Sequence, residues 1–325
     1  MDCIIIAGGQ GTRLRPLTST RPKSLVPLLN EPLIHHVLRR LPEGSRVFLP
    51  VNYMVEKVRQ HVDALEAVSH PLCRSYRIHV VHEPEPLGTG GAIKNLEAQL
   101  EFPVLVINGD VVTSFAFGDL IPFHERTGGA GVLLGWSVED SSPYGVLKLE
   151  EDRIVGFEEK PQASPGPGII NAGAYVLGPE VFKEIPAGRP CSLEREVFPK
   201  LSGKLFCFRT EGYWFDAGTP RNLLNASARL LREQGIHGFI GNDVTLEGQV
   251  GPNTVMGDRV VYRGGGVVDS ILLPEVTVER GALISGSLVG EGAAIGKASS
   301  VKDCVIADGA RIEAGRVCTG ERIER

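Results

Sequence analysis

From the first residue to about position 216, short β-branched runs alternate with segments whose apolar residues return at helical spacing. CIIIA, RVFLPVN, RIHVVHE and VLVING read as strands, and LIHHVLRRL, MVEKVRQHVDALEAV and GAIKNLEAQL as helices. Such alternation predicts an α/β domain built on a mostly parallel sheet with helices on both faces. A ligand site is then expected beyond the carboxyl ends of the strands. Thr219 before Pro220 supplies an N-cap and a first-turn proline, and Leu223, Ala226, Leu230 and Leu231 share one face behind them. A linker helix is expected there.

Beyond about Gly238 the helical signals stop and glycines multiply. Aliphatic residues now return every sixth position, as in Val289, Ile295 and Val301, or Ile306 and Ile312. That period marks the stacked short strands of a solenoid. It resembles the left-handed parallel β-helix of hexapeptide-repeat proteins. The extra residues around Arg263 to Gly266 interrupt the repeat and leave an irregular all-β domain as the alternative. The expected division is a catalytic domain over residues 1–236, linker helix included, and a β-helix domain over 237–325.

Composition narrows the function by exclusion. With 34 basic and 39 acidic residues the net charge is -5, which offers no chain-wide attraction for nucleic acid or an anionic membrane. No apolar run approaches the roughly 20 residues of a membrane span, and Met1 leads directly into a strand-like segment, so a cytoplasmic protein is expected. The six cysteines form no CxxC pair and several sit in apolar runs, as buried reduced thiols do. The eight histidines show no metal-binding spacing, His35 and His36 included.

The most informative string is CIIIAGGQGTRLRPLTSTRPKSLVPLLNEPLI. Gly8, Gly9 and Gly11 remove the Cβ atoms that would keep phosphate oxygens from backbone N–H donors, while Arg13 and Lys23 supply positive charge. The string fits neither GxGxxG nor GxxxxGK[ST]. As a whole, GGQGTRLRPLT followed by RPKSLVPL closely resembles the signature of the sugar-1-phosphate nucleotidylyltransferase family, which implies a Rossmann-like catalytic domain. The resemblance implies that the backbone from Gly8 to Thr12, with Arg13, holds a nucleoside triphosphate, and that Arg13 and Lys23 lie near the reacting phosphates. Arg15 and Arg21 match less diagnostic positions and read equally as surface cations.

A second match, EPEPLGTGGAIKNL, is the segment that flanks the base in the family. Glu83 stands where thymidylyl- and uridylyltransferases usually carry glutamine, and Gly88 where the base lies close to backbone. A carboxylate only accepts hydrogen bonds, and guanine presents two adjacent donors, so Glu83 suits guanine. Glu85, two residues on, is the alternative for that role. Asp110 after VLVING and Asp216 in GYWFDAGTP match the family's metal pair, two carboxylates that suit Mg²⁺ together with phosphate oxygens. Glu159 and Lys160 match its Glu-Lys-Pro element, the acid on sugar hydroxyls and the lysine on the sugar phosphate; Gly145 and Asn171 complete the sugar pocket.

SLEREVFPKL and WFDAGTP also resemble mannose-1-phosphate guanylyltransferases. The expected reaction is therefore GTP plus mannose 1-phosphate giving GDP-mannose and pyrophosphate, with Arg13, Lys23, Lys160 and Asp110 as the catalytic groups. The alternatives are a thymidylyl- or uridylyltransferase acting on glucose 1-phosphate, and a non-catalytic regulatory homologue, against which the intact motifs argue. A bifunctional acetyltransferase would need histidine within the coils, and the tail has only His237, at its entrance. The tail is expected to join copies of the chain into a homo-oligomer or to regulate it.

Overall fold

The computed structural model describes residues 1–161 and 166–324. The chain forms two compact units: Met1–Gly9 with Val37–Trp214, and Gln10–His36 with Phe215–Arg325. The change of texture at 236/237 marks where the linker helix gives way to coils. The two units divide differently, since residues 10–36 are hydrogen-bonded to those coils.

The first unit is built on nine strands: β1 (Asp2–Ile6), β2 (Arg46–Val51), β3 (Arg77–His82), β4 (Val104–Asn108), β5 (Gly131–Val138), β6 (Gly145–Glu150), β7 (Arg153–Glu159), β8 (Gly168–Leu177) and β9 (Leu205–Arg209). They form one sheet in the order β3-β2-β1-β4-β8-β5-β9-β7-β6. The strands β3, β2, β1 and β4 run parallel, with Cys3 opposite Val47 on one side and Leu105 on the other. Their near-continuous apolar runs are what strands buried on both faces require. Helices Val55–Ala67 and Gly88–Lys94 connect them, the first burying Val58 and Val62 and the second Gly90 to Ile93.

The far half of the sheet departs from the parallel expectation. Strand β8 runs antiparallel to β4 and β5, and β7 antiparallel to β6 and β9, while β9 is parallel to β5. The cause is local. From β5 to β8 the strands follow one another with no helix between them, and β6 and β7 are joined by only Glu151 and Asp152, a link too short for a parallel connection.

In the second unit Thr219 caps the helix Pro220–Glu233 as expected, its Oγ1 accepting the Asn222 N–H at 3.2 Å, with Leu223, Ala226, Leu230 and Leu231 buried. The coils follow as a three-sided stack of short parallel strands, the arrangement of a left-handed β-helix, in sheets of six, five and four strands. Phe239, Val255, Ile271, Leu288, Val305 and Arg322 form one column, spaced by coils of 16 or 17 residues. The residues around Arg263 to Gly266 do not break this stack: Gly265–Val268 opens the third side and pairs with Ala282–Ser285. Val289, Ile295, Val301, Ile306 and Ile312 all point inward and are buried. Inside one corner, Ser270 Oγ accepts the Ser287 N–H and Ser287 Oγ accepts the Cys304 N–H, at 3.1 and 3.0 Å.

Because each coil is held by its neighbours, a hole in one weakens the whole stack. Ile306→Ala should lower the stability of the tail by about 2–5 kcal/mol in urea unfolding, whereas Leu283→Ala on the exposed face should cost under about 1 kcal/mol.

Candidate active site

The carboxyl ends of β1, β2 and β3 bring Gly8, Asn52 and Glu83 together. Glu83 directly follows β3, and its N–H donates to Val51 O at 2.9 Å, which holds it beside the end of β2. The side chain is only 5 % exposed, and its Oε1 has no hydrogen-bond donor among the described residues. Burial pushes the carboxyl up to about 7. Gly8, just past β1, faces the same place: a Cβ there would lie 3.2 Å from Glu83 Oε2 and 3.2 Å from Asn52 Nδ2. Glu85 is exposed. Gly88 has φ +69°, and a Cβ on it would meet the Cys191 carbonyl oxygen at 2.7 Å, so the fold itself requires glycine there.

The signature loop continues in the second unit. Gly11, at φ +62°, starts a short turn over Thr12–Leu14, closed by the Leu14 N–H on Gly11 O at 2.9 Å. Thr18 Oγ1 donates to the same carbonyl at 2.8 Å. Asp216 gathers the two cations: its Oδ2 lies 3.7 Å from Arg13 Nη2 and its Oδ1 3.9 Å from Lys23 Nζ. Arg13 remains 60 % exposed, whereas Lys23 is largely covered. The space between them is kept by Gly218, where a Cβ would stand 2.6 Å from Arg13 Nη2, 2.6 Å from Asp216 Oδ1 and 2.8 Å from Lys23 Nζ.

The expected sugar-side residues lie together in the first unit. Gly145 and Glu159 are paired across β6 and β7, and a Cβ on Gly145 would come within 2.7 Å of Glu159 Oε2. Burial raises the Glu159 carboxyl, opposed by Lys160, whose Nζ is 3.7 Å away. Asn171 sits where the register of β8 on β5 shifts, its Nδ2 donating to Tyr175 Oη at 2.9 Å. Tyr175 in turn donates to Glu194 Oε1, and Glu194 Oε2 accepts from Thr89 and Ser192, both at 2.7 Å. Asp110 follows β4, directly after Gly109, whose N–H donates to Ile6 O at 3.0 Å. Among the described residues no three or more His, Cys, Asp or Glu form a metal cage by themselves.

A comparison with known families decides the ancestry of this arrangement: the nucleotidyl transferase family matches residues 2–233, and the GMPPB C-terminal domain matches 239–324. The chain belongs to the nucleotidyl transferase family. Similar proteins include the mannose-1-phosphate guanylyltransferase catalytic subunit beta of Danio rerio, 35 % identical over 93 % of this chain and 87 % of that one. The mannose-1-phosphate guanylyltransferase of Mycobacterium tuberculosis is 34 % identical over 99 % of this chain and 83 % of its own. Among solved structures, HddC from Yersinia pseudotuberculosis complexed with GMP-PN is 29 % identical, with TM-score 0.58, over 70 % of this chain and 99 % of that one.

Within this nucleotidyl transferase, sequence reasoning overlooks several groups. Gly218 follows Asp216 in a string already singled out, but its role depends on three side chains that meet only in the fold. Asn52 reads as no more than the end of a strand. The Thr89, Tyr175 and Glu194 relay joins residues up to 105 positions apart, a separation no motif spans. Gly218→Ala should displace Arg13 and Lys23 from Asp216. The expected result is a loss of roughly 100-fold or more in kcat with melting within a few degrees of wild type, read by pyrophosphate release and calorimetry.

Proposed function

We propose that the chain transfers a guanylyl group from GTP to mannose 1-phosphate, giving GDP-mannose and pyrophosphate. One observation of the site carries the base: a buried carboxylate, Glu83, at the ends of β2 and β3 with an acceptor oxygen left over. Guanine's N1–H and N2–H₂ are two adjacent donors that match it; uracil and thymine would set a carbonyl against it. The names of the relatives support the same nucleotide and sugar.

The chemistry is an in-line displacement. A phosphate oxygen of mannose 1-phosphate forms a bond to the α-phosphorus, and the bond from that phosphorus to the bridging oxygen of the β-phosphate breaks, so pyrophosphate leaves. No general base is needed, because a phosphate monoester with its second pKa near 6 is already mostly dianionic at neutral pH. Arg13 and Lys23 offset charge on the triphosphate and the departing pyrophosphate; Lys160 orients the attacking phosphate; Glu159 and Asn171 bind the sugar.

Mg²⁺ is part of the same proposal. A hard cation that keeps water and phosphate oxygens needs only one or two protein carboxylates, and Asp110 and Asp216 each offer one. When bound, the ion would neutralise charge at the α-phosphate. Self-association through the tail has support as well: Ile240 and Leu246 are exposed on the first coil, whose outer strand edges have no partner strand among the described residues. No helix among the described residues is long and apolar enough to cross a membrane.

Base choice tests the reading. Wild type should prefer GTP over UTP and dTTP by roughly 100-fold or more in kcat/KM, Glu83→Gln should erode the preference, and Glu85→Gln should not. Preference for a pyrimidine nucleotide would overturn the guanylyl assignment. The pH dependence has a defined sign. Burial holds the empty site's carboxyl near 7, and guanine's donors favour its ionised form, so binding below that pH releases a proton. GTP affinity should therefore tighten from pH 6 to pH 8 and level off above, with the carboxyl's share absent in Glu83→Gln. Titration calorimetry in buffers of different ionisation enthalpy counts the protons. Asp110→Asn and Asp216→Asn should each cost roughly 100-fold or more in turnover and raise the Mg²⁺ concentration needed for half-maximal rate.

A further inference from the structure

The carbonyls of the signature turn are held by the last coil of the β-helix. Arg322, on the final strand Arg322–Ile323, donates through Nη2 to Arg13 O at 2.8 Å and through Nη1 to Arg15 O. These carbonyls belong to the turn Thr12–Leu14 and the residue that closes it. A few residues on, Arg21 Nη2 reaches Asp308 at 2.6 Å and Glu291 at 2.9 Å, with Arg21 and Asp308 both mostly covered. Thr20 Oγ1 also donates to Asp308, and Asn30 Nδ2 donates to Asp258 at 2.8 Å. The segment that carries Arg13 and Lys23 is thus tied to four separate coils.

We infer that Arg322 is a positioning residue for transfer, fixing the peptide planes that follow Arg13 and Arg15 so that the Arg13 guanidinium is directed at the reacting phosphates. The guanidinium fork suits the task, because two donors in a fixed plane can hold two carbonyls at once. A lysine can satisfy only one of them with the same direction. The neighbouring anchors at Arg21 keep the loop attached when Arg322 is removed, so its loss changes orientation rather than folding. The inference rests on the proposed role of Arg13 at the triphosphate.

The test compares Arg322→Ala and Arg322→Lys in the full-length chain, with Arg280→Ala, a surface pair of Glu247 elsewhere on the coils, as control. Arg322→Ala should lower kcat about 10-fold with unchanged KM for mannose 1-phosphate and melting close to wild type; Arg322→Lys should recover part of the loss, and Arg280→Ala should match wild type. Deuterium exchange of the peptide covering residues 10–20 should speed up in Arg322→Ala. Wild-type kcat in Arg322→Ala overturns the inference, as does a kcat loss that only follows a lowered melting point. If wild type itself makes no GDP-mannose while the variant still speeds exchange in that peptide, the failure lies with the proposed function, not with the tie between coil and loop.

Discussion

The interaction on which the second unit depends is Arg21 between Glu291 and Asp308. It fastens a segment near the amino terminus to coils almost 290 residues later in the chain. Asp308 accepts there from Arg21, from Thr20 and from the Glu291 N–H, so one largely covered carboxylate is satisfied by three donors. A charge in that setting is costly to leave unpaired, so losing one partner weakens the attachment. The signature loop therefore belongs structurally to the tail, although its sequence belongs to the family's catalytic part.

Glycines carry a second kind of order. At Gly8, Gly145 and Gly218 the missing Cβ leaves room for a carboxylate or a cation to come near the backbone. Each sits against one of the acids proposed for base, sugar or metal: Glu83, Glu159 and Asp216. The charged groups can be close to the main chain, and so held firmly, because nothing projects from the chain at those points.

Much of this is legible in the sequence. The parallel half of the sheet, the capped linker helix and the coils follow from periods of 3.6 and six residues and from Thr219-Pro220, all signals carried within a few positions. The antiparallel half is not, since short runs such as GVLKLE and RIVGFEE show their pairing only through the two-residue link between them. In the candidate site, the choice between Glu83 and Glu85 needs the structure: both are acids in one proline-stiffened stretch, and only strand pairing through Val51 buries the first and leaves the second in water. Arg21 reads as a surface cation because its partners lie in distant repeats.

The stacked coils have a further consequence for how this chain can change in length. Each coil advances the stack by one strand spacing, about 4.8 Å, and in principle whole coils can be gained or lost without harm to the ladder of Ser270, Ser287 and Cys304. Arg322 removes that freedom. One coil more between Asp308 and the final strand would carry its guanidinium a full spacing away from the carbonyls of Arg13 and Arg15. The tail thus works as a ruler, its number of divisions set by the distance from Asp308 to the end of the signature turn.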